Sequence, residues 1–180
     1  MKENASFPIL QPESDAKIAL KEFTIRVYGI LLDRSRILVS DEYIRGGYFT
    51  KFPGGGMELG EGTRECLKRE FKEETNLDVE IGEHIYTTDY YQVSGFNLSK
   101  QIVAIYYFVN PLGKINLTTK DVPFDFEPYQ IADLNGQSEV FRWIDWNNLS
   151  EDDVHLPIDK KVVTLIKENF TAHTERIRGL

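Results

Sequence analysis

Glu70, Glu73 and Glu74 follow one another at i, i+3 and i+4 within Arg64 to Thr75, a run whose apolar residues Cys66, Leu67 and Phe71 lie close to helical spacing. On a helix that spacing brings all three carboxylates near one face. They also fall in its last turns, where the negative end of the macrodipole disfavours each anion by roughly 0.3–1 kcal/mol at exposed sites. Local stability would favour lysine there, and the interleaved Lys68, Arg69 and Lys72 offset only part of the penalty. An acidic face of this kind is ordinarily just solvated. The segment before it, Pro53-Gly54-Gly55-Gly56, changes that reading. Three glycines let the backbone approach a ligand closely and expose its carbonyls and amides. Oxygen donors of this kind suit magnesium or manganese, which keep several waters and bind substrate phosphates together with a few carboxylates. The chemistry to expect is a metal–diphosphate site.

The spacing carries further than the helix. Gly55 is followed by Glu61 after five residues, and seven residues later comes Arg69-Glu70-Phe71-Lys72-Glu73-Glu74-Thr75-Asn76-Leu77. This resembles the signature of the Nudix hydrolase family: Gly, five residues, Glu, seven residues, then Arg-Glu-apolar-x-Glu-Glu-x-Gly-apolar. Every defined position matches except Asn76, where the family has glycine. Asparagine also tolerates the left-handed conformation that ends many helices, so the departure concerns the helix stop and no ligand. Phe52-Pro53-Gly54 and Glu58 are similar to the family's usual surroundings. The box covers roughly an eighth of the chain.

The resemblance implies an α/β fold, an α/β/α sandwich with a mixed β-sheet. It implies Glu70, Glu73 and Glu74 as metal ligands, the Gly54 carbonyl as a further ligand, and Mg2+ or Mn2+ as cofactor. Arg69 would orient the carboxylates by pairing back to Glu61. The metal would neutralise phosphate charge and help turn water into a nucleophile. The general base in this family is a box glutamate or an acid from a distant loop. Glu139, just before the run FRWIDW, is the leading candidate outside the box, with Asp133 and Glu127 behind it; the alternative for each is a solvent-facing acid. The implied activity is cleavage of the diphosphate linkage of a nucleoside diphosphate joined to another moiety, of sugar-nucleotide or ADP-ribose type. Two alternatives stand beside it, hydrolysis of noncanonical nucleoside triphosphates and a non-catalytic nucleotide-binding module. The full set of box acids weighs against the second. An isopentenyl-type diphosphate isomerase is weakened too, because its family uses a cysteine outside the box and Cys66 lies inside it.

Substrate contacts are less constrained. Arg26, Arg45 and Lys51 are candidates for phosphate, with ordinary surface roles as the alternative. Tyr86, Tyr90, Tyr91 and Phe96 crowd one region, where Tyr90 is the candidate to stack on a base; core or dimer packing is the commoner use of such residues. Val93 stands where ADP-ribose-cleaving relatives tend to carry proline. Tyr90 and Tyr91 fall too early for the diadenosine-polyphosphate pattern, and no coenzyme A marker is present. Cys66 reads as core, and neither His84 nor His155 has a partner identifiable from sequence.

The elements that must position these residues are readable in outline. Residues 1–20 read as an N-terminal arm and 21–180 as a single domain. Phe23–Leu32 and Arg36–Tyr43 read as strands joined by a turn at Asp33 to Ser35, and Tyr48–Phe52 as a short strand. PGGGMELGEG is a loop by composition, Thr63 a plausible N-cap, and Asn76 the left-handed helix stop. Val79–Tyr91 and Gln101–Val109 form a predicted hairpin across VSGFNLSK. Residues 111–138, with three prolines and no clear period, read as an excursion loop. A strand at Glu139–Trp146 and an amphipathic helix over Ile158–Phe170 follow.

Bulk properties bound the rest. With 180 residues, 41% hydrophobic and 28% charged, the chain suits one globular domain and neither disorder nor a coiled coil. A net charge of -8 argues against a broad basic footprint for nucleic acid. It does not exclude a phosphate ligand, because a bound divalent cation inverts the local field. One cysteine excludes an intramolecular disulfide and the cysteine-rich zinc sites, and the three histidines show no HExxH spacing. The N-terminus lacks an apolar core of signal-peptide type, and no apolar run approaches the roughly 18 residues that span a bilayer. The expectation is a cytoplasmic protein with a small-molecule nucleotide substrate, no nucleic acid and no membrane, a homodimer being left open.

Overall fold

Strand-forming runs and one strongly patterned helix account for most of the architecture. The computed structural model describes residues 19–178, so the arm expected at 1–20 lies almost wholly outside the described residues. The elements are β1 (Glu22–Asp33), β2 (Arg36–Ile44), β3 (Gly47–Lys51), β4 (Gly54–Gly56), α1 (Thr63–Thr75), β5 (Val79–Thr87), β6 (Lys100–Pro111), β7 (Thr119–Lys120), β8 (Gln137–Asp145) and α2 (Pro157–Arg178). The strands form one mixed sheet in the order β5-β6-β1-β2-β8-β7, with β3 on β2 and β4 on β1. β1 runs parallel to β6, and β7 to β8; the other pairings are antiparallel.

Two buried clusters lie on opposite faces of this sheet, which makes the layers helix, sheet, helix. On one face Cys66, Leu67 and Phe71 of α1 meet Val27, Leu31, Leu38 and Phe141. On the other Ile158, Val162, Val163 and Ile166 of α2 meet Ile30, Ile37, Val39 and Ile144. The alternation along β1 and β2 sends neighbouring residues to different faces. The Nudix-type sandwich expected from the sequence is therefore the fold observed. No helix among the described residues is long and apolar enough to cross a membrane.

Several local expectations change. Gly54–Gly56 is strand rather than loop, paired through Arg26↔Gly56, Val27↔Gly55 and Tyr28↔Gly54; the ladder on β1 overrides glycine's weak strand preference. Thr63 does not cap α1. Gly62 occupies that position, and the Thr63 hydroxyl lies 2.8 Å from the Tyr107 hydroxyl instead. Asn76 does close the helix in the left-handed region, at φ 56, with its N–H on the Lys72 carbonyl. β5 stops at Thr87 rather than Tyr91, and the Thr88 side chain exchanges hydrogen bonds with the Ala104 backbone beyond it. The excursion loop carries the two-residue β7 and a 3-10 turn at Pro128–Ile131, and α2 continues past Phe170.

On the α2 side, Asp41 is fully buried and ties four segments together. Its carboxylate accepts from Arg142 Nε at 2.6 Å, from the Thr50 hydroxyl at 2.6 Å and from the Phe124 N–H of the excursion loop at 3.3 Å. Thr50 in turn donates its N–H to His155 Nδ1 at 2.9 Å and accepts the His155 N–H at its carbonyl. Removing one partner of a buried pair leaves an uncompensated charge, so Asp41→Ala should destabilise by about 3–5 kcal/mol, read from urea unfolding. His155 is needed neutral at Nδ1. Burial, reinforced by Lys160 and opposed by Asp41, holds its pKa below the usual 6.5. Its contribution to stability is therefore complete above the unfolded value and is lost as pH falls through the folded one. Stability of the wild type relative to His155→Gln should fall between about pH 7 and 5; parallel pH profiles for the two proteins would contradict this.

Candidate active site

The sheet divides to make room for the site. β1 and β2 pair only at their hairpin end, through Leu32↔Ile37 and Asp33↔Arg36. Beyond it β1 pairs with β4 and β6, while β2 takes β3 and β8. Between the halves lies a cavity of about 820 Å³ whose lining includes Arg26, Glu42, Lys51, Glu70, Glu74 and Glu139.

Glycine backbone forms part of that lining. Gly54 sits at φ +128, and a Cβ there would lie 2.2 Å from the Val27 carbonyl oxygen. No other residue fits both constraints. Its N–H donates to Glu74 Oε2 at 3.1 Å. A Cβ on Gly55 would fall 2.4 Å from the Glu70 carboxyl group, so the acid rests directly on the strand.

Arg69 joins the loop to the helix. Its Nε and Nη2 donate to the two oxygens of Glu61 at 3.0 and 2.7 Å, a bidentate pair, and Nη2 also reaches the Gly56 carbonyl at 3.0 Å. Nη1 donates to Glu70 at 2.9 Å and Glu73 at 3.1 Å. The Arg69 hydrogen bond, helped by the Glu58 N–H, pulls the Glu61 carboxyl down to about 2.

Carboxylate oxygens of Glu42, Glu74 and Glu139 lie within 4.8 Å of one another. Glu42 and Glu139 are direct cross-strand partners, a placement that is unfavourable for like charges. Lys51 relieves it. This residue is only 3% exposed; its Nζ lies 2.8 Å from Glu42 and 3.8 Å from Glu74, and donates to the Gly54 carbonyl at 2.8 Å. Burial alone would lower the lysine pKa, but Glu42, Glu74 and Glu139 outweigh it and hold the ammonium charged. Burial pushes the Glu139 carboxyl up to about 7, with Glu74 adding to the shift, and raises Glu74 as well. The Ser40 hydroxyl donates to Glu139. Hard oxygen donors on a glycine cradle, with an ammonium already seated among them, form a site whose chemistry fits a magnesium or manganese ion.

The sequence-predicted residues divide accordingly. Glu70, Glu74 and Glu139 meet in the cavity. The Glu73 side chain is 61% exposed and rests on Arg69 at the rim. The Gly54 carbonyl is turned to Lys51. Glu127 pairs with Lys120 and Asp133 accepts the Asn135 N–H, so both serve the excursion loop. Arg26 lines the cavity and donates Nε to the Tyr28 hydroxyl at 2.6 Å. Arg45, exposed at φ 49 in the β2–β3 turn, contributes to the lining as well. Lys51 is an internal cation rather than a surface one. Tyr90 lines neither this cavity nor the one beside it; Lys161 Nζ lies over its ring at 5.3 Å. Phe96 takes that place, 5.1 Å from Phe49. Glu42 escaped the sequence reading. Its signal was the alternation Leu38, Ser40, Glu42, which sets a glutamate on a core-facing side of β2.

An apolar recess of about 230 Å³ adjoins the cavity, with Val93, Ile102, Tyr106 and Ile158 in its lining. Arg26, Tyr28, Phe96, Asn97 and Leu156 line both.

The family model for the NUDIX domain matches residues 22–165. Among solved structures, the chain is similar to the ORF135 protein of E. coli, with a TM-score of 0.61 and 16% identity over 85% of this chain and 94% of that one. It is also similar to a NUDIX hydrolase from Nitrosomonas europaea, with a TM-score of 0.58 and 14% identity over 82% and 90%. A MutT protein from Methanosarcina mazei gives a TM-score of 0.57 and 16% identity over 83% and 96%. At such identities these likenesses speak for the fold.

The Arg69 clamp is testable by itself. In Arg69→Gln the Glu61 carboxyl should titrate clearly above about 2, moving back toward the usual 4.5 while the Glu58 N–H still holds it below, followed by NMR carboxyl shifts. Because the folded value is depressed, the stability it contributes is present above the unfolded value and fades as pH falls through the folded one. The variant should lose that acid limb; an unchanged low titration would show that Arg69 does not hold Glu61.

Proposed function

Because this chain belongs to the NUDIX domain family, the Nudix hydrolases, we propose that it cleaves the diphosphate linkage of a nucleoside diphosphate joined to another moiety. The observation that carries this reading is the shared wall between the apolar recess and the carboxylate cavity. A cavity of this size with an apolar annex and few polar groups suits a small organic ligand. A planar base fits the recess against Phe96, with the Asn97 amide at its edge. Arg26, where the two spaces meet, offers a guanidinium to the adjoining phosphate, and Arg45 a second cation at the cavity lining.

Glu70 and Glu74 would hold a magnesium or manganese ion, with Glu73 at the rim under Arg69. Bound there, the ion offsets phosphate charge and polarises the reacting groups. The remaining work falls to the chain. Water adds through its oxygen to one phosphorus, the bond from that phosphorus to the bridging oxygen breaks, and a nucleotide or sugar phosphate leaves. The proton released from water passes to a carboxylate. Glu139 is the group assigned, because it reaches the cluster from β8 and is oriented by the Ser40 hydroxyl.

Glu74→Gln should leave the fold intact by circular dichroism and lower magnesium-dependent turnover by about a hundredfold or more. Near-normal turnover would remove Glu74 from the site. The substrate class is tested with sugar nucleotides, ADP-ribose, noncanonical nucleoside triphosphates and base-free diphosphates, scored by phosphate release after phosphatase coupling. Base-bearing linked diphosphates should lead. Best turnover of the triphosphates would favour the second reading; a wholly uncleaved panel would favour a binding module.

A further inference from the structure

Lys51 raises a question that metal chemistry alone does not answer. Its ammonium is buried, and its listeners are the oxygens a divalent ion would seek: the Gly54 carbonyl at 2.8 Å, Glu42 at 2.8 Å and Glu74 at 3.8 Å. Three carboxylates from β2, α1 and β8 converge there with oxygens within 4.8 Å, enough negative charge for more than one cation. The Tyr28 ring lies beneath the ammonium, 5.6 Å from Nζ to the centroid. The lysine stem is fixed as well, since Lys51 pairs across the ladder with Ser40, one residue before the buried Asp41.

We infer that Lys51 is a resident counter-cation that takes the place of one divalent ion, so that this chain loads a single ion on Glu70 and Glu74 before substrate arrives. The inference rests on the metal-site reading proposed above. Two ions in such a cleft would lie about 3.5–4 Å apart and share carboxylates. Here the Glu42 and Glu74 oxygens that a second ion would share already face an ammonium covalently tethered to β3. The ammonium offsets the mutual repulsion of Glu42 and Glu139 and holds the Gly54 carbonyl in place, while Glu70, which lines the same cavity, is held by Arg69. Lys51 is thus a positioning residue that sets ion stoichiometry. A lysine with a purely packing role would leave ion number unchanged.

The test counts Mn2+ bound to the substrate-free full chain by electron paramagnetic resonance, beside the thermal midpoint with and without Mn2+. The wild type should bind one ion. Lys51→Met should bind two, show a lower midpoint without metal, and gain more from Mn2+ than the wild type gains. Lys51→Arg, which keeps the charge, should return the count to one. If Lys51→Met does not fold, Lys51→Gln carries the same expectation, since its amide still reaches toward the Gly54 carbonyl. Two ions in the wild type, or the same count and the same Mn2+ response in the charge-free variants, would overturn the role of Lys51 alone. A wild type that binds no Mn2+ would overturn the metal-site reading itself.

Discussion

Carboxylates brought into one cleft repel one another, and this structure is arranged around that repulsion. At an effective dielectric of about 20, two unit charges about 4 Å apart interact by about 4 kcal/mol. Glu42, Glu74 and Glu139 lie at comparable separations, with Glu70 lining the same cavity. Such a cluster is relieved by neighbouring cations and by the raised proton affinity of Glu74 and Glu139. Lys51 meets it from within, and Arg69 holds Glu61, Glu70 and Glu73 from the rim. Removal of either cation acts on several acids together.

The fold converts this electrostatic requirement into position. β1 and β2 separate after two paired residues, which gives β3 and β4 space to enter from each side of the cleft. β4 is all glycine, so α1 can set Glu70 and Glu74 directly on backbone. The rear of the same strands is secured by Asp41, Arg142 and Thr50, whose network also holds the excursion loop and the segment leading into α2. Leu156, immediately after His155, lines both the cavity and the recess. The scaffold behind the sheet and the shape of the ligand space are thereby linked through one short segment.

Charge and shape then divide the work of recognition. The larger cavity is lined by Arg26, Lys51 and four glutamates, whereas the recess offers mostly apolar surface. The loop between β5 and β6 supplies Phe96 and Asn97 to both spaces. The neighbouring Tyr86 and Tyr90 are spent on α2 instead, where Lys161 lies 4.7 and 5.3 Å from their ring centroids. Aromatic crowding in that stretch therefore serves two purposes, and only its far end faces the site.

The box was legible in the sequence because its information is local. Helical spacing fixes the relation among Glu70, Glu73 and Glu74, the Arg69–Glu61 pairing spans eight residues, and Asn76 ends the helix through its own backbone tolerance. Strand runs and the sandwich followed from pattern and from resemblance to the Nudix family. Tertiary structure decided what pattern cannot express. It brought Glu42 and Glu139 together across a ladder joining residues nearly a hundred positions apart, turned Lys51 inward onto the Gly54 carbonyl, and set Phe96 rather than Tyr90 at the cavity. Each outcome depends on strand register and burial, where the partner is remote in the chain and a one-residue slip would reverse every side chain. A single sequence determines which acids and which arginine stand on one helix; only the assembled sheet adds Glu42, Glu139 and Lys51 to them.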